Sequence, residues 1–189
     1  TTAQTVAIET ADIAALKTSQ IVALSTDNVA ALTTGQIQAV TTGDVAALTT
    51  GQVAALTTAQ IASLTTKQVQ LGLTTDQLVG LTTAQIAGMT TAQISNLSTT
   101  QLAALTMAQM ANMATDDLAA ITTAQLAGVT ANQVAALTTD QLTAMEVDDV
   151  ARFNAVSLQA MTTNQVSSLT TDQVVGLTTL QAAALTSTQ

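Results

Sequence analysis

Large aliphatic residues recur at eight-residue intervals from Ile8 to Leu64, and again from Leu73 to Leu185 after one nine-residue step near 69–73. Behind each of these anchors, five residues on, stands a second aliphatic, running from Ile13 and Ile21 to Val166 and Val174 and lapsing to Ala182. Polar residues fill the rest in fixed order. Each octad reads Leu-Thr-Thr-x-Gln-Val/Ile-Ala-x, as in Leu48–Ala55 and Leu56–Ser63, and residues 1–189 form a single array of about 23 octads. Self-similarity at a fixed short period is the signature of a repeat architecture.

Threonine followed three residues later by glutamine is a helix-starting pattern. The hydroxyl accepts a backbone N–H of the first turn, and the amide reaches back to the capping residue. Thr49 with Gln52, Thr57 with Gln60 and Thr82 with Gln85 fit it, while Asp12, Asn28, Asp44, Asp117 and Asp149 stand in the glutamine place elsewhere. From the second threonine to the next anchor there is room for about two turns, with the two aliphatics on one face. Helices this short are marginal alone and must be held by neighbours. The pattern therefore predicts an all-α solenoid of very short capped helices, one per eight-residue repeat.

One continuous helix is excluded by the period, because eight residues advance about 800° and the apolar stripe would drift by about 80° per repeat. A β-solenoid is the alternative, favoured by the Thr, Val and Ile content. It requires a turn inside every octad, since residues five apart point to opposite faces of a strand.

Several substitutions carry further readings. The pairs Asp116/Asp148, Asp117/Asp149, Asp140/Asp172 and Asp12/Asp44 are each 32 residues apart. This spacing reads as duplication of a four-octad block, or alternatively as stacked columns with four octads to a turn. The stretch 145–161 is the most degenerate and holds the only Phe and the only Arg, Phe153 and Arg152. Phe153 occupies an anchor position and is expected in the core, with a surface contact patch as the alternative. The nine-residue step, which contains Gly72, is expected to be a local bulge or kink.

Composition narrows the chemistry. The chain has no Cys, His, Pro, Trp or Tyr, so it offers no imidazole base, no thiol nucleophile and no cysteine- or histidine-based zinc site. No hydroxyl has a candidate base beside it, and Gly35, Gly43 and Gly51 form no phosphate-cradling loop. No catalytic, cofactor-binding or metal-ligating residue is assigned, and the chain is not expected to be an enzyme. The acids Asp116, Asp117, Glu146, Asp148 and Asp149 are the one concentration of charge. They read as solvated helix caps, with Ca²⁺ ligation as the alternative. The net charge of −9, with Lys17, Lys67 and Arg152 as the only cations, argues against nucleic acid as a partner. No apolar run reaches membrane-spanning length.

Octads such as Leu81–Gly88 resemble the Leu-Thr-Thr-x-Gln-Ile/Val arrays of long bacterial secreted or surface adhesin-like proteins. That resemblance covers essentially the whole chain and implies a structural or adhesive role outside the cell. The array starts at Thr1 and stops at Gln189 without polar capping repeats. The chain therefore reads either as excised from a longer array or as a protomer whose open ends stack head to tail, and the preferred reading is a homo-oligomer, fibre or filament. The competing reading is a Thr-rich ice- or glycan-binding surface displayed on a β-solenoid.

Overall fold

The computed structural model describes all residues, 1–189. It consists of 22 α-helices, each of four to six residues, and one π-helical segment, Gln68–Gly72, with no strand. The short-helix solenoid is the fold, and the β-solenoid alternative is overturned. Its requirement for a turn in every octad is met instead by an extended anchor and an extended Thr. Leu56, Leu64, Leu105 and Leu169, for example, lie beside threonines that cap the next helix. Leu64 ends its helix at φ −56°, ψ 135°, and Thr57 opens the helix Thr58–Ser63 at φ −71°, ψ 160°. Two such residues in succession stop one helix and re-aim the next.

The chain gathers into two compact units, Thr1–Leu97 and Ser98–Gln189. Within each, a helix lies against the third helical segment after it. In the first unit Thr10–Ala15 packs on Thr34–Ala39, and Thr34–Ala39 on Thr58–Ser63. In the second, Met107–Ala111 packs on Ala131–Ala136, and Ala131–Ala136 on Ala155–Ala160. Both aliphatic columns turn inward. Val53, Ile61, Leu78, Leu102, Val134 and Leu158 are fully buried, and the anchors Leu56, Leu81, Leu105 and Leu137 nearly so. Burying a side chain of this size contributes roughly 1.5–3 kcal/mol, which supplies what helices of five residues lack by themselves. Phe153 is in the anchor column and buried, as its position requires.

The extra residue near 69–73 is absorbed inside a helix. Thr65 starts the segment in the usual way, with its hydroxyl accepting from the Gln68 N–H at 3.1 Å. The chain then widens into the π segment, and the Leu73 N–H donates to the Gln68 carbonyl. A π bulge of this kind accommodates one inserted residue without breaking the helix on either side. Gly72 makes it fit, because a Cβ there would stand 3.0 Å from the Val45 Cβ and 3.2 Å from the Thr42 carbonyl oxygen. Gly72→Ala is expected to destabilise the protein by about 1–3 kcal/mol through overpacking, measured by urea denaturation; an unchanged midpoint would show that the bulge has slack.

Candidate functional site

The repeated chemistry of this chain lies where one turn meets the next. Threonine caps most of the helices, with serine or asparagine at Ser25, Ser98 and Asn154 and no side-chain cap at Glu9, Ala114 and Glu146, and Gln60 and Thr57 show the pattern. The Gln60 N–H donates to the Thr57 hydroxyl at 3.2 Å, and the Thr57 N–H donates to the Gln60 side-chain oxygen at 2.7 Å. That leaves the other end of the amide. Gln60 Nε2 donates to the carbonyls of Val29, at 3.1 Å, and Leu32, at 2.6 Å, with Ala30 at 3.2 Å. An amide has only two N–H donors, so the two shorter contacts carry the bond and the third is marginal. The Val29 carbonyl, in the last turn of its helix, also accepts the Leu32 N–H, whereas the Leu32 carbonyl on the anchor behind it has no backbone donor and depends on the amide. A single glutamine thus caps the start of its own helix and the end of one in the preceding turn.

The same bridge recurs in both units. In the first, Gln36 reaches Thr5 and Ile8, Gln52 reaches Val22 and Leu24, and Gln68 reaches Ile37 and Val40. In the second, Gln133 reaches Leu102 and Leu105, Gln141 reaches Met110 and Met113, and Gln165 reaches Val134 and Leu137. The separation from Gln60 to Leu32 is 28 residues, so a turn holds about three and a half octads. Four octads to a turn, the basis for stacked acid columns, is therefore not the geometry. Beyond the bulge the partners shift by one, with Gln77 reaching Val45 and Leu48 at separations of 32 and 29 residues. The inserted residue lengthens the turn and leaves the ladder intact.

Four internal glutamine places hold another buried residue. One is Asp117, and the three that lie over a turn of their own unit are Asp44, Asp149 and Ser157. By register they stand over the anchor carbonyls of Leu16, Ile121 and Val129, none of which accepts a protein hydrogen bond. The Asp44 carboxylate accepts from the Thr41 hydroxyl at 2.6 Å. Asp149 has Glu146 at its cap and no side-chain capping bond. Burial pushes its carboxyl above the usual aspartate value, Glu146 and Asp148 add to the rise, and Arg152 opposes it. Of the remaining acids, Asp117 is buried at its helix start, while Asp116, Glu146 and Asp148 are exposed. Nowhere do three or more such side chains converge as a group that would hold a metal ion.

Sequence reasoning found both partners of the capping box and missed the far side of the amide. The octad carries no signal for it, since the acids Asp12, Asp44, Asp117 and Asp149 stand in the same place as glutamine.

Comparison with known families gives one match. The model for the ALTTAQ repeat covers residues 5–42, 41–71, 110–147 and 142–179, more than half of the chain. No curated protein matches it.

Gln60→Glu keeps the length and the capping oxygen and removes the donor to Val29 and Leu32. It is expected to cost about 1–3 kcal/mol at neutral pH, the penalty for a buried polar group left unpaired. Thr57→Ala should cost about 1 kcal/mol as a lost cap. Urea denaturation of both variants checks this, and a Gln60→Glu midpoint equal to wild type would remove the bridge from the account.

Proposed function

The chain belongs to the ALTTAQ repeat family, and on that premise we propose that it is a structural element which extends by adding turns, forming a fibre, filament or adhesin stalk outside a bacterial cell. It is a repeat protein of tandem short helices. It contains no helix long and apolar enough to cross a membrane. In this reading it is not an enzyme, and its partner is a further copy of the same repeat.

The observation that carries the proposal is the polarity of a turn. On one side a turn presents amide donors, and on the other it presents carbonyls with an apolar column. In the turn at residues 2–31, Gln4 and Gln20 are exposed and their Nε2 groups donate to no protein carbonyl. The apolar column there is already sealed, with Ile13 and Ile21 at 1% exposure. In the turn at residues 163–189 the column opens, with Val174 at 50% exposure. The anchor carbonyls of Leu169, Leu177 and Leu185 accept no protein hydrogen bond. The joints inside each unit pair these same groups, so a turn of one copy laid on a turn of another would form bonds the protein already uses. Heterologous contacts that do not close extend into filaments. The low charge density and the lack of cysteine suit a surface exposed to an oxidising exterior.

Sedimentation velocity and negative-stain imaging over a concentration series test the reading. Wild type is expected to grow into linear assemblies, and Gln4→Ala with Gln20→Ala to weaken them by at least about tenfold, as loss of two buried hydrogen bonds predicts. A monomer at the highest concentration would overturn self-assembly.

A further inference from the structure

Hydrogen bonding between turns has a single source in this chain. Within each unit every backbone–backbone hydrogen bond spans five residues or fewer, so none links one turn to the next. The hydrogen bonds that do cross are donated by glutamine amides, as from Gln60 to Leu32 and from Gln141 to Met113. Every closely packed pair of helices is three segments apart in the order of the chain. A joint is therefore as strong as its own amides and its own apolar contacts, with no longer-range tie to relieve it.

The joints are not equal. In the first unit one joint has three bridging glutamines, with Asp44 as its lapse, and the next has four, from Gln68 to Gln93. In the second unit Gln165, Gln173, Gln181 and Gln189 bridge the last joint, and Gln159 adds a bond to the Ala184 carbonyl. The joint before it keeps only Gln133 and Gln141, because Asp149 and Ser157 fill the other two places. Two further features fall at that same joint. Thr123–Leu126 and Val147–Val150, three segments apart, are the shortest helices of the chain and are not among the closely packed pairs. The helices that start at Thr115 and Val147 also have no side-chain cap.

We propose that this joint, between residues 98–129 and 133–157, is the yield point of the array, the place where the stack parts first when it is loaded. Parting there breaks two amide bridges, against three or four at the other joints inside the units. Helices freed from their neighbours are too short to persist alone, so their backbone meets water until the joint recloses. The degenerate stretch 145–161 supplies one side of the joint and thereby has a function. It confines extension to one place and leaves the turn at 163–189 closed on its neighbour. The inference takes from the proposed function only the use of such a joint in a stalk. The opening itself belongs to a single chain, so it stands or falls apart from end-to-end assembly.

The test is amide hydrogen exchange, followed by mass spectrometry, of the whole chain as wild type and as Asp149→Gln with Ser157→Gln. Glutamine is the residue the array uses in that place, so the double variant completes the set of bridges. In wild type, Thr115–Ala119, Thr123–Leu126 and Val147–Val150 are expected to be at least about tenfold less protected than Thr50–Ala54 and Thr83–Ala87, whose joint Gln85 bridges. The double variant is expected to raise protection in the first set by about tenfold or more, as two restored bridges predict, and to leave the second set unchanged. Equal protection of the two sets in wild type, or no local gain in the variant, would overturn the yield point. If the double variant does not fold, Ser157→Gln alone serves, and protection at Thr123–Leu126 equal to wild type overturns it.

Discussion

Everything in this fold depends on one amide being used at both ends. A five-residue helix leaves most of its backbone groups without intrahelical partners, and buried groups in that state are costly. Here Gln60 supplies an acceptor to the start of its own helix and donors to the end of another. Without the second half, every buried anchor carbonyl would be an orphan in a low-dielectric core. The bridge is local in one direction and distant in the other, so it converts a chain of independent caps into a stack.

Hydrophobic packing and the ladder divide the work. The aliphatic columns supply most of the free energy, because burial scales with area and each octad adds two large side chains. They are poor at specifying register, since a Leu accepts a neighbour displaced by a few ångströms. The amide is directional and is not so tolerant. Its persistence across the inserted residue shows this. The backbone changes to a π segment at Gln68–Gly72, and Gln77 then finds carbonyls one residue further back. Helix geometry yields, and hydrogen bonding does not.

The same economy runs through the array, which has few charges and many buried amides. The polar groups that are buried serve other turns. Variation in the glutamine place falls at Asp44, Asp117, Asp149 and Ser157, all of them buried. Stability in such arrays is a sum of repeat and nearest-neighbour terms, so a single weak joint has a local effect that the rest of the array does not average away.

The sequence by itself determined the repeat, the helix starts, the two inward columns and the core place of Phe153, because capping and hydrophobic periodicity act within one octad. Thr57 and Gln60 were legible as a box for that reason. It did not determine which turn each octad meets. The spacing of 32 residues between paired acids pointed to four octads per turn, whereas the bonds lie at 28 to 31 residues in turns that do not cross the bulge. Only the tertiary structure decided this, because the offset between turns depends on how far two extended residues rotate each helix relative to the last. That rotation accumulates over several octads and is invisible in any one of them. The second role of glutamine was not legible either, because the carbonyls that require the donor come together only when the turns are stacked.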